Sequence, residues 1–284
     1  MLSKILVPVR GDGMVGTVLG HAAEVAKRHR AHVVVAHCRA QATDLLSSGV
    51  PLPAFARETF MKQAHELADR QEEHVRRVLH RLARDLGLTE GPARPGEAGT
   101  CEFIEENARM ADVIKHRGRL SDLIVVAKPD RDRNLGYNSL EAALHSTGRP
   151  VLMCPGHGVP APDLGGHLAI GWNGSMEAAR AVALTLDVVA AADTVTILAG
   201  GKGESHGAPP EELEDYYRLR GVTATTIRFD ARNPGAALLS MTVEIGASLL
   251  IMGAYSQSHE REMLLGGNTQ TVVDKAESPV ILVH

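Results

Sequence analysis

The chain contains few cysteines, and none of its hydrophobic runs is long enough to cross a membrane. Its three cysteines, Cys38, Cys101 and Cys154, are spaced too widely for a metal-binding motif or a disulfide framework. No apolar segment approaches the roughly 20 residues that a membrane-spanning helix needs. The apolar run at the N-terminus meets Arg10 and Gly11 too early for a signal peptide. These absences favour a protein of the reducing cytoplasm.

Neither sign of charge dominates the sequence. The 30 basic and 34 acidic residues give a net charge of −4, so there is no electrostatic reason to expect a nucleic-acid partner. The 14 histidines do not fall at standard metal-ligand spacings. Cys101 lies among glutamates with no activating cation nearby, which disfavours a catalytic thiol. We therefore expect no metal site, no membrane contact and no nucleic-acid binding.

The chain carries one pattern twice. In each copy, short β-branched apolar runs alternate with helical segments, and the runs recur in the same order. The matching segments are 5–12 and 168–175, 33–36 and 195–198, 122–126 and 248–252, and 149–153 and 278–282. This period is too long for a solenoid and indicates duplication of a whole domain. Each copy is predicted to be a doubly wound α/β domain, with a parallel sheet covered by helices on both faces.

An irregular segment separates the two copies. Residues 154–163 contain three prolines and two glycines, which disfavour continued regular structure. The predicted domains are therefore residues 1–156 and 164–284. The apolar final strands of the copies, 151–153 and 280–283, are expected to pair either between the two halves or across a homodimer.

Two helical stripes are predicted to face the core. In the second copy, apolar residues at helical spacing predict a crossover helix: Ala179, Val182, Ala183, Leu186 and Val189. In the first copy, a longer series of the same kind runs from Phe60 to Leu86. It predicts a long helix packed on the sheet.

A glycine-rich loop in the second copy is the best clue to function. It begins at Gly253, after the apolar run 249–252, and passes Gly266 and Gly267 before a short predicted helix. Ligands of parallel sheets bind outside the carboxyl ends of the strands, where the strand order reverses. Glycines let the backbone approach an anion, and a helix N-terminus attracts one. Asn268 or Thr269 is expected to cap the helix or to donate to a phosphate oxygen. The other interpretation is an ordinary tight turn.

The second copy resembles the universal stress protein family in its tandem, two-domain form. The family's loop reads Gly, two residues, Gly, nine residues, Gly, then Ser or Thr. This chain has Gly253, two residues, Ser256, nine residues, Gly266 and Gly267. Residues 172–175 and 177–180 are also similar to the second domain of tandem members. The resemblance covers nearly the whole chain and implies five-stranded parallel sheets of the adenine nucleotide alpha hydrolase-like fold. Many members bind ATP at the carboxyl ends of the strands, whereas others bind no nucleotide.

The resemblance also supplies the candidate cofactor-binding residues. Asn173 stands where an Asp usually contacts the nucleoside, and the backbone near Gly200 is expected to meet the adenine. The full candidate set is Asn173, Gly174, Ser175, Gly200, Gly253, Ser256, Gly266, Gly267, Asn268 and Thr269. The implied ligand is ATP, accompanied by Mg²⁺. Asn173 equally fits a turn residue, and Tyr255 fits either stacking on a base or packing on its own domain.

Three positions depart from the family pattern. Ser256 replaces a glycine and would add strain of order 1 kcal/mol if the backbone there needs a positive φ. Asn173 can hydrogen-bond a ribose but brings no charge. Gly267 replaces Ser or Thr and so removes a hydroxyl donor.

The corresponding loop of the first copy, 127–138, is less suited to an anion. It is shorter, lacks the leading glycine, and carries Pro129, Asp130 and Asp132, while Arg10 occupies the usual Asp position. Proline removes a backbone donor. We predict that the first half does not bind ATP in the manner of the family.

The leading functional hypothesis is a non-catalytic stress-response or signalling protein that binds ATP or a related adenine nucleotide in its second domain. Binding would order the loop and change a surface for an unidentified protein partner. The alternative is a scaffold that binds no nucleotide and acts through protein–protein interaction. An enzyme is disfavoured because the loop lacks a Walker lysine and no nucleophile, base and orienting group can be assembled. Slow hydrolysis of a bound nucleotide remains compatible with the leading hypothesis.

Overall fold

The fold is given by a computed structural model, which describes residues 1–10, 14–39, 53–93, 99–133, 135–200, 207–255 and 267–284. Strands and helices alternate along the chain, as the apolar runs predict. The described elements of the first half are β1 Lys4–Val9, α1 Val15–His29, β2 His32–Cys38, α2 Ala54–Leu86, β3 Thr89–Glu90, β4 Thr100–Glu106, α3 Met110–Gly118, β5 Leu123–Ala127, α4 Tyr137–Thr147 and β6 Val151–Cys154.

The second half repeats this alternation. Its described elements are β7 His167–Trp172, α5 Met176–Leu184, α6 Leu186–Ala190, β8 Thr194–Gly200, α7 Pro210–Arg218, β9 Ala224–Phe229, α8 Pro234–Glu244, β10 Leu249–Gly253, α9 Asn268–Lys275 and β11 Val280–Val283. Among the described residues, no helix is both long and apolar enough to span a membrane.

The eleven strands of the described residues belong to one sheet, in the order β3-β4-β2-β1-β5-β6-β11-β10-β7-β8-β9. Neighbouring strands are parallel except β6 and β11, which are antiparallel. The second half contributes five parallel strands, and the first contributes five in the same relative order plus the two-residue β3 at the edge. The predicted fold class, a mostly parallel α/β sheet with helices on both faces, is confirmed. The domain boundaries stay a prediction.

The two halves are joined by the pairing of their final strands. Ile281 lies opposite Leu152, and both side chains are almost completely buried. Of the two alternatives expected for these strands, the structure shows pairing within the chain. Each strand already has a neighbour on both edges, so neither is available to pair across subunits.

Two apolar layers cover the sheet, one on each face, and each contains residues of both halves. Along a strand alternate side chains enter opposite layers, so Ile281 lies in one layer and Val280 and Leu282 in the other. Helices α1, α2, α5, α6 and α7 supply the first layer, whereas α3, α4, α8 and α9 supply the second. The central strands are therefore buried on both faces, whereas the outer strands β3 and β9 are exposed or half-buried.

The predicted stripe of the crossover helix was wrong at Ala179 and Ala183, which are exposed, and right at Val182, Leu186 and Val189. The other buried side chains of this segment are Glu177, Ala178, Ala181, Thr185 and Val188. Alanines at neighbouring positions let two helical phases fit the sequence equally well. The helix also breaks at Thr185, whose hydroxyl donates to the Ala181 carbonyl at 2.6 Å.

The long helix of the first half is only partly core. Phe60 and Ala64 are half-buried and Leu67 is exposed, and fully buried side chains of α2 begin at Val75. The helix has 33 residues, a length of roughly 50 Å. The seven-residue strands β2 and β4 extend only roughly 23 Å, so they cannot cover its whole length.

Because the two halves share one sheet and both apolar layers, we expect them to unfold together. Replacing Ile281 by Ala should lower the free energy of unfolding by about 2–5 kcal/mol, because it leaves a cavity where the halves meet. Urea denaturation of the wild type should show one transition. The control Val243→Ala, at a side chain that is 66% exposed, should stay within about 0.5 kcal/mol of the wild type. Two separated transitions in the wild type would contradict a common core.

Candidate functional site

A cleft opens at the carboxyl ends of β7, β8 and β10. It contains about 650 Å³ of space, counting the part open to solvent. Strand order reverses at this point, because β8 and β9 extend from one side of β7 while β10 and β11 extend from the other. Open parallel sheets bind ligands at such a switch point. The cleft therefore lies where the sequence predicts a site.

The structure brings six of the ten candidate residues to this cleft. The lining includes Asn173, Ser175, Gly200, Gly253, Asn268 and Thr269. Gly174 lies beside the cleft in the turn after β7, and Gly267 immediately precedes α9. Ser256 and Gly266 lie outside the described residues, so their predicted roles stay predictions.

The segment after β7 forms a turn that starts α5. The Asn173 Oδ1 accepts a hydrogen bond from the Ser175 backbone N–H at 3.1 Å. Gly174 has a φ of +73°, and a Cβ there would lie 3.1 Å from the Gly207 Cα. The Ser175 Oγ caps α5 by accepting from the Ala178 N–H at 3.2 Å. The side-chain oxygen of Asn173 therefore acts as that of a turn residue. The amide nitrogen of the same side chain takes no part in the turn.

Gly253 is required by packing, whereas its predicted role in ligand binding stays a prediction. A Cβ at this position would lie 2.5 Å from the Glu177 carbonyl carbon and 2.6 Å from the Ala178 nitrogen. No real Cβ tolerates such distances from backbone atoms. The missing side chain therefore lets the first turn of α5 rest directly on the end of β10.

Gly200 also has a packing role. A Cβ there would lie 2.4 Å from the Phe229 Cζ, so the Phe229 ring lies directly over the Gly200 Cα. The ring packs against the same apolar layer as Leu238. The backbone of Gly200 remains part of the cleft lining, as expected for contact with a base.

Three helices begin at the cleft. Ser175 caps α5, Pro234 is the first residue of α8, and Asn268 and Thr269 form the start of α9. The starts of α8 and α9 are pressed together, since a Cβ on Gly235 would lie 2.5 Å from the Asn268 carbonyl oxygen. Each helix start carries partial positive charge. The cleft therefore favours negative charge at this end.

The side chains of Asn268 and Thr269 are partly engaged within the protein. The Asn268 Oδ1 accepts from the Gly235 N–H at 3.2 Å, and the Thr269 Oγ1 accepts from the Tyr255 N–H at 3.1 Å. Neither oxygen caps α9. The N-cap residue of α9 is Gly267, which supplies no side-chain hydrogen bond to the first-turn N–H groups. Those backbone donors are the groups most suited to an anion.

Tyr255 packs on the protein. Its φ is +51°, a left-handed conformation that is uncommon for a residue with a side chain. Its ring centroid lies 5.3 Å from that of His145 in α4, and His145 in turn meets the ring of His284 at 4.4 Å. Of the two interpretations of Tyr255, packing on the protein describes the structure, with the contact crossing to the other half.

Sequence reasoning missed two contributors to the cleft. Glu177, in the first turn of α5, is 6% exposed and lines the cleft. It was noted only as part of a family-like segment. Pro234 and Leu238 bring α8 to the cleft, and the Asn233-Pro234 pair is a typical helix start that could have revealed this.

The equivalent cleft of the first half differs in shape and chemistry. It contains about 380 Å³ and is lined mainly by apolar side chains together with Arg10 and Ser139. The Asp130 Oδ1 accepts from the Asp132 and Arg133 N–H groups, and Asp130 pairs with Leu135 across the loop. The described part of this loop therefore folds back on itself. These contacts support the prediction that the first half does not bind ATP in the family's manner.

The first-half loop supports helix α9 instead. Lys128 Nζ donates to the Ala276 carbonyl at 2.9 Å, Arg131 pairs with Asp274 at 2.7 Å, and the Gln270 amide donates to the Tyr137 hydroxyl at 2.6 Å. All three contacts cross between the halves. They hold the helix whose N-terminus faces the second cleft.

The described residues do not assemble another reactive site. Burial raises the pKa of the Cys101 thiol to about 11 and that of the Cys38 thiol to about 12, so both stay protonated and weakly nucleophilic at neutral pH. Within the part of the chain that the structure describes, no group of three His, Cys, Asp or Glu side chains could hold a metal ion.

The packing role of Gly253 can be separated from any binding role. Replacing Gly253 by Ala should lower the free energy of unfolding by about 1–3 kcal/mol, because the new methyl group collides with the backbone of α5. In the control Gly16→Ala, no described atom lies within 4 Å of the new methyl group and no positive φ is required, so stability should stay equal or rise by up to about 1 kcal/mol. Thermal and urea denaturation of both variants measure this. Equal stabilities would show that α5 does not rest on Gly253.

Comparison with known proteins agrees with this geometry. The model of the universal stress protein family matches residues 168–284. A universal stress protein structure from Archaeoglobus fulgidus is 16% identical, covers 100% of this chain and 98% of its own, and superposes with a TM-score of 0.70. A Pseudomonas aeruginosa protein named for the same family is 17% identical, covers 99% and 93%, and gives a TM-score of 0.52. At these identities the superpositions show the fold alone.

Two other comparisons do not extend this result. A universal stress protein in complex with cAMP is 21% identical over 42% of this chain and 96% of its own, with a TM-score of 0.31. That overlap does not transfer its ligand to this chain. No curated protein matches the chain. Residues 168–284, whose strands β7 to β11 form the sheet around the cleft, are the part of the chain that matches the universal stress protein family.

Proposed function

We propose that this protein is a tandem, non-catalytic stress-response or signalling protein that binds ATP or a related adenine nucleotide in its second domain. The observation that carries the proposal is the start of α9, which faces the cleft with a glycine N-cap and no side-chain cap. An uncapped helix start offers backbone N–H groups and a positive dipole end to a phosphate. The family match of residues 168–284 and the position of the cleft at the strand-order reversal support the same ligand class.

The rest of the cleft suits the base and the sugar. Trp172, Leu198, Leu238 and Met252 give it an apolar side, and the backbone at Gly200 offers hydrogen-bonding groups. The Asn173 amide nitrogen lies at the end of β7, the position from which family members contact the nucleoside. Small-molecule sites typically combine an apolar lining with a few polar groups in this way.

Ligand binding would act on the segment between β10 and α9. Phosphate contacts at the start of α9 would tie this segment to a helix that the first half already holds through Lys128, Arg131 and Tyr137. The resulting surface would be recognised by a protein partner. The first half then serves as structural support rather than as a second nucleotide site.

Isothermal titration of the purified protein with ATP and Mg²⁺ tests the proposal. We expect saturable binding with one nucleotide per chain. Mass spectrometry of small molecules released from protein purified without added ligand should identify an adenine nucleotide if exchange is slow. No heat and no copurified nucleotide, from protein shown to be folded, would favour the alternative of a scaffold that binds no nucleotide.

A pair of variants at Gly267 tests the role of α9. Aspartate is a good N-cap, so Gly267→Asp should leave the melting temperature unchanged or raise it. Its carboxylate would also occupy the first-turn N–H groups and repel phosphate, so nucleotide affinity should fall by about tenfold or more.

The matched control is Gly267→Ser, which caps the helix without adding charge. It should bind nucleotide within about threefold of the wild type, since serine is the residue type that the family carries near this position. Equal nucleotide affinities for the Asp and Ser variants would show that no phosphate binds at the start of α9.

A further inference from the structure

Glu177 is a buried acid without a partner at the candidate site. It is 6% exposed, lines the cleft, and makes no hydrogen bond or ion pair with any described residue. Its carboxylate oxygens are not among the buried side-chain atoms that lack a partner, so the small exposed part of this residue opens into the cleft. An unpaired carboxylate that faces a cleft is a group for which a ligand can supply the partner.

Packing fixes the position of Glu177. Its Cβ would lie 2.8 Å from a Cβ built on Gly253, and its own backbone rests on the same residue. The Glu177 Cβ therefore lies at the end of β10, and the side chain extends from there into the cleft lining. Its place in the first turn of α5 also stabilises the negative charge.

Apart from the helix starts, no described side chain that lines the cleft offsets that charge. Among the described lining residues, Glu177 carries the charged side chain, and none is Lys, Arg or His. The Asn268 and Thr269 oxygens already accept hydrogen bonds from the protein. Among the described residues, the group left for an anion is the start of α9, which suits one phosphate group better than a chain of three.

We infer that Glu177 makes the cleft select adenine nucleotides of low charge, so that a nucleoside monophosphate binds in preference to a free triphosphate. The carboxylate accepts hydrogen bonds from donors on the ligand, such as ribose hydroxyls, and repels additional phosphates. This inference rests on the proposed function and concerns the ligand class of the same site.

Calorimetric titration with adenosine, AMP and ATP in buffer containing EDTA tests the inference. The wild type should bind AMP about tenfold or more tightly than ATP. Replacing Glu177 by Gln, which keeps the side-chain shape and removes the charge, should raise ATP affinity by about tenfold and change adenosine affinity less than about threefold. The matched control Glu244→Gln, at an exposed residue in the last turn of α8, should bind all three ligands as the wild type does.

The outcomes separate the two proposals. If ATP binds as tightly as AMP in the wild type and Glu177→Gln changes neither, the inference is overturned while the nucleotide site stands. If adenosine, AMP and ATP all fail to bind the wild type and both variants, the nucleotide site itself is overturned, and the inference with it. Thermal denaturation checks that Glu177→Gln is folded. A variant that does not fold is replaced by Glu177→Met, for which the same rise in ATP affinity is expected.

Discussion

The antiparallel pairing of β6 with β11 is the interaction on which the rest of the structure depends. It joins two parallel sheets into one and lets both apolar layers continue from one half to the other. Because the pair lies at the centre of the sheet, it also fixes where the loops of one half stand relative to the helices of the other. The first-half loop consequently reaches α9 through Lys128, Arg131 and Tyr137.

The loops at the carboxyl ends of the strands have different roles in the two halves. The described first-half loop folds onto itself through Asp130 and makes its outward contacts to α9. The second half keeps an open cleft at the point where strand order reverses, with three helix starts around it. One half of the chain thus supports a helix of the other half, although both halves have the same strand order.

Glycines in the cleft illustrate how packing and binding can require the same residue. Gly253 lets α5 rest on β10, Gly200 lets the Phe229 ring lie across β8, and Gly174 takes a positive φ against Gly207. Each position is one that a family resemblance assigns to ligand contact. Glycine at such positions is therefore explained by the fold before any ligand is considered, and the ligand must be argued from the uncapped start of α9 and from Glu177.

The sequence by itself determined the strands, their repeated order and the edge of the sheet at which a site would lie. Apolar runs with β-branched residues specify buried parallel strands, and their repeated order specifies a repeated topology. It could not determine the phase of α5, because alanines at positions 178, 179, 181 and 183 fit two helical faces. Nor could it choose between pairing of the final strands within one chain and across two, since the same apolar edges serve both.

Only the tertiary structure decided which side chains meet in the cleft. Glu177 and Pro234 lie outside the glycine loop in the sequence, yet α5 and α8 bring them to the same cleft. Tyr255 meets His145 from the other half for the same reason. Local sequence sets the type of each element, whereas long-range packing against Gly253, Gly235 and the β6–β11 pair sets the position of each side chain.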